Sequence, residues 1–299
     1  MKLIVQPEDG PSLLVRAVRH AKHQIDIVIF RLDLHDLEEA LGAAVKRGVT
    51  VRALVANRNR NGEKGLRKLE QRFLEAGITV ARSNDDLLRY HGKVLIVDGT
   101  LYVLGFNYTK LDIEKSRSFG IVTSDAKLVK AGAELFESDT TRKPYDPGDE
   151  RLVVSPENAR GVLSDFIRGA KKTLYIYDMN VSDKQMLKLL NERLQAGVDV
   201  RAIGKVERIA DGMGLRKLSK LRLHARAIVR DGSRAFVGSQ SLRWAELDQR
   251  REVGVIITDP RIARRLQSVF ESDWDQAKPK QEPEPVAESK RPSKSPSAA

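Results

Sequence analysis

The sequence contains no cysteine, which excludes disulfide bonds, thiolate metal sites and cysteine nucleophiles. It also has no run that approaches the roughly 18 consecutive apolar residues needed for a membrane-spanning helix. The apolar run at the N-terminus is only Leu3-Ile4-Val5, whereas a secretory signal needs about 7 to 15 such residues. We therefore expect a cytoplasmic protein without a transmembrane segment.

Positive charge is in excess. The 299 residues carry a formal net charge of +12, and most of that excess lies before the Pro-, Ser- and Lys-rich C-terminal stretch. A basic balance of this size favours an anionic partner, and nucleic acid and anionic lipid headgroups both satisfy that description. Charge alone does not separate the two, and a simple contribution to solubility is a third interpretation.

The chain repeats itself. Residues 3–9 recur as residues 152–158 at an offset of 149, and the pentapeptide Gly-Leu-Arg-Lys-Leu stands unchanged at 65–69 and 214–218 with the same offset. The offset then falls to 133, which we interpret as 16 additional residues in the first copy between Leu69 and His91. These matches predict a duplicated unit packed about a pseudo-twofold axis.

Each copy alternates apolar strands with a helical pattern. Strands are predicted over 24–30 and 49–55 with a helix between them, and the same order recurs around 173–177 and 198–203. This alternation indicates an α/β fold built from two similar halves. The predicted boundaries are 1–147 for the first half, 148–276 for the second half and 277–299 for a disordered tail, which has almost nothing apolar to bury.

Two histidines occupy equivalent positions in the copies. His91 is followed by Lys93 and Asp98, and His224 is followed by Arg226 and then Asp231 at matching spacing. In a strand, residues i and i+2 point to the same face, so an imidazole and a cation can address one bound anion together. A neutral imidazole can attack phosphorus, and a fixed cation can stabilise the charge that develops on the phosphoryl oxygens.

This doubled His-x-Lys-x4-Asp pattern, over about residues 1–276, resembles the phospholipase D superfamily. The resemblance implies two α/β/α sandwich halves with one active site between them, so that a monomer is sufficient for a complete site. It also implies that His91 attacks phosphorus to form a phosphohistidine and that His224 protonates the leaving group. Lys93 and Arg226 would hold the phosphate, and no cofactor or metal would be required.

The chain departs from the pattern of this family at several positions. Arg226 replaces the second lysine, which keeps the charge on a bulkier planar group. The Gly-Ser-x-Asn turn of the family retains Asn107 without its serine in the first half, and Ser239 with Ser241 in place of asparagine in the second. We expect Asn107, Ser239 and Ser241 to contact the substrate phosphate.

Glu252 resembles the carboxylate that orients a motif histidine in this family, whereas the aligned position in the first half is Ser118. We therefore expect one oriented histidine, His224 paired with Glu252. A carboxylate on Nδ1 fixes the tautomer and raises the basicity of the ring, which favours His224 as acid and base and leaves His91 as nucleophile.

The remaining candidate residues have lesser roles. Asp98 and Asp231 end their strands before glycine, where aspartate commonly closes a turn, so we place them in the site as supporting residues rather than proton donors. Three further histidines have no equivalents in the other copy and are predicted to be surface or packing residues: His20, His23 and His35.

Three functions follow from these residues. The first is an enzyme that hydrolyses or transfers a phosphodiester, with a phospholipid as the favoured substrate and peripheral contact with a membrane. The second is a nuclease or nucleic-acid-processing enzyme, favoured by the basic charge and by the Phe-Asn-Tyr-Thr-Lys turn at 106–110. The third is a degenerate member that binds phosphate without turnover, suggested by the departures at Ser118, Arg226 and Ser241.

Overall fold

The structure is a computed structural model that describes residues 1–58, 63–208 and 211–279. The first half comprises, in chain order, β1 (Lys2–Gln6), α1 (Ser12–His20), β2 (Gln24–Ile29), α2 (His35–Lys46), β3 (Thr50–Val55), α3 (Lys64–Glu75), β4 (Thr79–Arg82), β5 (Arg89–Tyr90), β6 (Val94–Val97), β7 (Thr100–Leu104), α4 (Lys110–Glu114), β8 (Ser116–Thr123) and α5 (Ala126–Thr141).

The second half begins with β9 (Leu152–Ser155). It continues with α6 (Ala159–Arg168), β10 (Thr173–Val181), α7 (Lys184–Gln195), β11 (Asp199–Val206), β12 (Gly214–Lys217), β13 (Arg222–Leu223), β14 (Ala227–Arg230), β15 (Arg234–Gly238), α8 (Trp244–Asp248), β16 (Arg250–Ile257), α9 (Pro260–Gln276) and β17 (Lys278–Pro279).

The two halves share one sheet topology, which confirms the predicted pair of similar α/β units. The first sheet has the order β1-β8-β7-β6-β2-β3-β4, and β9, β16, β15, β14, β10, β11 and β12 take the same positions in the second. β2 and β3 pair in parallel and β6 runs antiparallel to β2, with the same relations among β10, β11 and β14. A duplicated sequence has therefore produced a duplicated sheet.

Alternating side chains on the strands place helices on both faces of each sheet. In β2, Ile25, Ile27 and Ile29 are buried against the helices of the first half, where α2 presents Leu37 and Leu41 at helical spacing. The opposite faces of both sheets share one core with α5 and α9, and α6 and α7 cover the outer face of the second sheet. The halves are thus joined by a continuous apolar layer.

The repeated pentapeptide folds in two different ways. Residues 65–69 lie within α3, whereas Gly214–Lys217 form β12. β12 pairs in parallel with β11 as β4 pairs with β3, so β12 is the counterpart of β4. The prediction that the pentapeptides are equivalent, with the additional residues after Leu69, was wrong. The additional segment contains α3 and precedes β4, and the surroundings of each pentapeptide override its local preference.

The end of the chain differs from the prediction in its first residues. Within the predicted disordered tail, Lys278–Pro279 pair with β12 in an antiparallel bridge, and residues 280–299 lie outside the described part of the chain. Across residues 1–58, 63–208 and 211–279, no helix is long and apolar enough to cross a membrane.

The halves exchange short strands. Before the first motif, β5 leaves its own half and pairs in parallel with β16, placing Arg89 beside Arg250. Before the second motif, β13 pairs in the same way with β8, placing Arg222 beside Ser116. Each motif histidine is therefore preceded by a strand that belongs to the sheet of the other half.

The buried Arg117 on β8 joins the two halves next to the exchanged strand β13. The Arg117 guanidinium donates from Nε and Nη2 to the Asp273 carboxylate at 2.7 and 3.0 Å, which joins β8 to α9 of the other half. Its Nη1 donates to the Gln6 carbonyl at 2.8 Å and to Glu8 at 2.6 Å. Asp273 also accepts from the Tyr177 hydroxyl at 2.6 Å, so both Asp273 and each nitrogen of the guanidinium are hydrogen-bonded.

The pseudo-twofold counterpart repeats the arrangement. Arg251 on β16 donates from Nε to Asp139 at 3.0 Å and from Nη1 to the Ser155 carbonyl at 3.0 Å and to Glu157. Asp139 ends the Phe-Glu-Ser-Asp sequence that the second half repeats at Asp273. The two aspartates of this repeat therefore fasten each half to the other.

Replacing Asp273 by alanine tests this fastening. We expect Asp273→Ala to lower the free energy of unfolding in urea by about 3 to 5 kcal/mol, because it leaves a buried guanidinium without its main partner. Glu134→Ala removes the exposed i,i+4 pair with Lys130 and is the control, with an expected loss below about 0.5 kcal/mol. Equal losses in the two variants would contradict a role for Asp273 in joining the halves.

Candidate active site

Both motif histidines are buried and are tied by their backbones to the opposite half. The His91 amide donates to the Arg251 carbonyl at 2.7 Å, and the His224 amide donates to the Arg117 carbonyl at 3.0 Å. These carbonyls belong to the same two arginines whose guanidinium groups join the halves. The position of each histidine therefore depends on the other half of the molecule.

The backbones of the halves touch beside the histidines. A Cβ atom built on Gly105 would lie 2.7 Å from the Gly238 carbonyl oxygen and 2.9 Å from that of Phe119. Any side chain at this position would push β7 away from β15, so glycine is required by the close approach. The contact brings the turn that carries Asn107 next to the turn that carries Ser239.

Glu252 contacts His91. The His91 Nδ1 atom lies 2.7 Å from the Glu252 Oε2 atom, and both side chains are buried. The expectation that Glu252 orients His224 was wrong. Glu252 lies on β16, and β16 pairs with the exchanged strand β5 that leads into His91, so the carboxylate faces the histidine of the other half.

His224 has a carboxylate as well, which sequence reasoning missed. Its Nδ1 atom lies 3.3 Å from Oδ2 of Asp112, a 2% exposed residue on α4. That oxygen accepts from the Asn107 amide and side chain at 2.9 and 2.7 Å, and Oδ1 accepts from Arg222 at 2.8 Å. The His224 Nδ1 atom itself makes no hydrogen bond within the described residues. The expectation that Ser118 leaves one histidine without a carboxylate was wrong, because α4 supplies one.

The signal for Asp112 in the sequence was weak. An aspartate in the first turn of a short helix is ordinarily explained by the helix terminus, and nothing in the spacing from His91 marks it. Only the exchange of β13 into the first sheet brings the second histidine to this helix.

Two buried cations accompany the histidines. Lys93 has no exposed surface, donates from Nζ to the His91 carbonyl at 2.6 Å and lies 5.3 Å from the centre of the Phe30 ring. Among residues 1–58, 63–208 and 211–279, the hydrogen bonds of Arg226 are long, from Nε to the Ser241 hydroxyl at 3.4 Å and from Nη1 to the His224 carbonyl at 3.5 Å. Most donors of its guanidinium are therefore available to a bound anion.

Burial and positive charge keep the histidines neutral. Burial, with Lys93 and Arg226 nearby, holds the pKa of His91 well below its ordinary range, and burial with Arg226 and Arg222 does the same for the pKa of His224. Burial also lowers the pKa of Lys93 to about 7. A neutral His91 that donates Nδ1–H to Glu252 keeps its lone pair on Nε2, the form required of a nucleophile.

A sequence comparison identifies the family of this chain. The family described as "cardiolipin synthase, PLD-like domain", where PLD is phospholipase D, matches residues 14–140 and 163–274, which include both motifs. The chain belongs to the phospholipase D superfamily. No curated protein is similar enough in sequence to be matched with this chain.

Solved structures share its fold. A polyphosphate kinase from Porphyromonas gingivalis superposes with a TM-score of 0.76 at 20% identity over 90% of this chain, which spans 49% of the length of that kinase. A phosphatidylserine synthase from Haemophilus influenzae Rd KW20 gives a TM-score of 0.71 at 12% identity, covering 93% of this chain and 86% of the synthase. At these identities the likeness concerns the fold.

The three residues expected to bind phosphate have different hydrogen-bond partners in the structure. The Asn107 side chain donates to Asp112, and its Oδ1 atom makes no hydrogen bond within the described part of the chain. The Ser239 hydroxyl bonds to the backbone of Val253 at 3.1 and 3.3 Å, and the Ser241 hydroxyl accepts from Arg226. Contact of these three residues with phosphate stays a prediction.

The two motif aspartates serve the backbone. Asp98 accepts from three successive amides at 22–24, and Asp231 accepts from the equivalent amides at 171–173. Both residues have positive φ, 44° and 52°, in the turns that end β6 and β14. Their carboxylates thus connect each motif strand to the start of its neighbour. His20, His23 and His35 are exposed.

The pKa of Lys93 predicts that anion binding depends on pH. We expect sulfate, whose charge is constant in this range, to bind about tenfold more weakly at pH 8 than at pH 6, because Lys93 loses its proton near pH 7. The change in affinity over this range should be clearly smaller for Lys93→Arg than for the wild type, since arginine stays charged and only proton uptake by His224 remains. Titration calorimetry measures both. Equal affinity of the wild type at the two pH values would contradict this role of Lys93.

Proposed function

We propose that this protein is a phosphodiesterase that hydrolyses or transfers a phosphodiester, preferably of a phospholipid, through a phosphohistidine intermediate. The observation that carries the proposal is the pair of buried, neutral histidines, each with a carboxylate near Nδ1 and a cation two residues later. Both belong to one site at the junction of the halves.

His91 is the nucleophile in this proposal. Glu252 holds its ring at 2.7 Å, so the attacking nitrogen is Nε2 and its direction is fixed. The assignment is the one expected from the sequence, but its basis has changed. The shorter of the two carboxylate contacts is the one at His91. A hydrogen bond donated from its Nδ1 to Glu252 raises the electron density at Nε2.

His224 is the acid and then the base. The negative charge of a bound phosphodiester offsets Arg226 and Arg222, which raises the pKa of His224 and lets it carry a proton when substrate is present. Nε2 of His91 forms a bond to phosphorus, the bond from phosphorus to the leaving oxygen breaks, and His224 transfers its proton to that oxygen.

The second step reverses the roles. Water or an alcohol attacks the phosphorus, His224 takes the proton of the attacking hydroxyl, and the phosphorus–nitrogen bond breaks to restore His91. Water gives hydrolysis and an alcohol gives transfer. In this proposal Lys93 and Arg226 balance the charge on the phosphoryl oxygens in both steps.

The geometry argues against a degenerate, non-catalytic member. Arg226 retains the positive charge of the lysine it replaces, and Asp112 provides the carboxylate that Ser118 does not. Two of the three departures that suggested loss of function, at Ser118 and Arg226, therefore leave the site with its second carboxylate and its second cation.

Exposed apolar side chains on the segments that carry the site favour a phospholipid. Leu88 precedes β5 and is 56% exposed, Leu111 neighbours Asp112 and is 47% exposed, and Trp244 begins α8 and is 58% exposed. Large exposed apolar groups beside a basic site suit contact with a lipid surface. Nucleic acid is the second candidate, because of the charge of +12 and because Trp244 could stack on a base.

Phosphate trapping tests the proposal most simply. With radiolabelled phosphatidylglycerol, labelled phosphatidylcholine and labelled single-stranded DNA, each assayed with EDTA present, we expect turnover of lipid in preference to DNA. Acid quenching is too harsh for the intermediate, so an alkaline quench should recover acid-labile, alkali-stable label on the wild type. His91→Asn should carry no label. His224→Asn lacks the acid of the first step, so it should be labelled only by a diester with an acidic leaving group such as 4-nitrophenol, and it should then retain that label because it also lacks the base of the second step.

Two outcomes would contradict the proposal. Label that persists on His91→Asn and disappears from His224→Asn would reverse the two roles. Tight, salt-sensitive binding of DNA without turnover of any substrate would favour the degenerate member instead.

A further inference from the structure

A cavity of about 610 Å³ opens on the His224 side of the active site. Its apolar lining comes from the ends of β10 and β13 and the segment between β12 and β13, with basic residues at the rim. The lining residues are Met179, Gly204, Lys205, Lys217, Leu218, Leu221, Arg222 and Leu223.

The cavity adjoins residues that hold His224. Leu223 directly precedes His224 in the chain, and Arg222 donates at 2.8 Å to Asp112, whose other oxygen lies 3.3 Å from the His224 ring. A molecule in the cavity would therefore contact the residue that precedes His224 and the arginine that binds Asp112.

Gly204 keeps the inner wall of the cavity free of a side chain. Its φ is +142°, and a Cβ atom there would lie 1.7 Å from the Asp178 carbonyl oxygen and 3.0 Å from Leu223. The Asp178 carboxylate in turn accepts from the Leu242 amide at 2.8 Å, beside Ser241 of the site. The cavity and the active site thus share a wall formed by the end of β10.

The first half shows the same position filled. At the pseudo-twofold counterpart of Met179 stands Phe30, which is 4% exposed and packs edge-on against the His91 ring with centroids 4.4 Å apart. Arg89, the counterpart of Arg222, lies over the Phe30 ring at 5.6 Å. Met179 is 39% exposed and leaves its side of the site open, so the opening is a property of one half and not of the fold.

We propose that this cavity binds one acyl chain of a phospholipid whose phosphate lies between His91 and His224. The inference rests on the proposed phosphodiesterase function and adds to it the place of the lipid chain. Leucine and methionine side chains offer a flexible aliphatic lining that suits an alkyl chain and has no planar face for stacking a base. Lys205, Lys217 and Arg222 supply positive charge where a lipid anion would enter.

Filling the cavity tests the inference. Leu221→Trp places a bulky ring among the lining residues, and Met179→Phe gives the second half the aromatic group of the first. The matched control is Leu74→Trp, at an exposed leucine on α3. Steady-state kinetics should compare phosphatidylglycerol carrying long chains, phosphatidylglycerol carrying short chains, and methyl 4-nitrophenyl phosphate, a diester without an acyl chain.

We expect both cavity variants to lower kcat/KM for the long-chain lipid by about tenfold or more, because methylene groups lose their burial. The short-chain lipid should be affected less, and methyl 4-nitrophenyl phosphate should be turned over within about twofold of the wild-type rate. Leu74→Trp should leave the turnover of all three substrates unchanged within the same margin.

The outcomes distinguish failure of the acyl-chain site from failure of the proposed phosphodiesterase function. Unchanged turnover of long-chain lipid in both cavity variants, or an equal loss for all three substrates, would overturn the acyl-chain site while leaving a phosphodiesterase. Hydrolysis of single-stranded DNA that both variants impair as strongly as lipid turnover would also overturn it. If the wild type turns over none of these diesters, the proposed function itself fails and the inference fails with it.

Discussion

Each motif histidine is held by the half of the molecule that does not contain it, and the rest of the site depends on this exchange. β5 and β13 cross into the opposite sheets, and the amides of His91 and His224 bond to the carbonyls of Arg251 and Arg117. The guanidinium groups of those arginines are fixed by aspartates, again from the opposite half. A buried arginine without its carboxylate destabilises the fold, so the ion pairs that join the halves are required. The carbonyls of the same two arginines accept from the histidine amides, and the contacts that join the halves therefore also position the histidines.

This constraint produces a site that is symmetric in its backbone and asymmetric in its side chains. Glu252 holds His91 from a strand, whereas Asp112 approaches His224 from a short helix and at a longer distance. Phe30 covers one side of the site, and Met179 leaves the other open. The proposed nucleophile therefore lies in the first half, and the proposed acid and lipid cavity lie in the second, although duplication gave both halves the same framework. The superfamily membership accounts for the framework.

The sequence was sufficient for the duplication, the α/β class and the two motif histidines, because each depends on spacing along the chain. It was insufficient wherever contact crosses from one half to the other. Glu252 was assigned to the histidine of its own half, and Asp112 was missed, because strand exchange leaves no periodic trace in the residues. The Gly-Leu-Arg-Lys-Leu pentapeptide misled for a related reason, since identical residues form a helix at 65–69 and a strand at 214–217 under different packing.

NMR can show directly which carboxylate lies beside each motif histidine. Nitrogen-detected NMR of the ring nitrogens in the intact protein should show the His91 Nδ1–H signal displaced in Glu252→Gln, with the His224 signals unchanged. Asp112→Asn should do the reverse, and the exposed neighbour Glu114→Gln should change neither ring. A shift of the His224 signals in Glu252→Gln, with those of His91 unmoved, would contradict the crossed arrangement on which this account of the site depends.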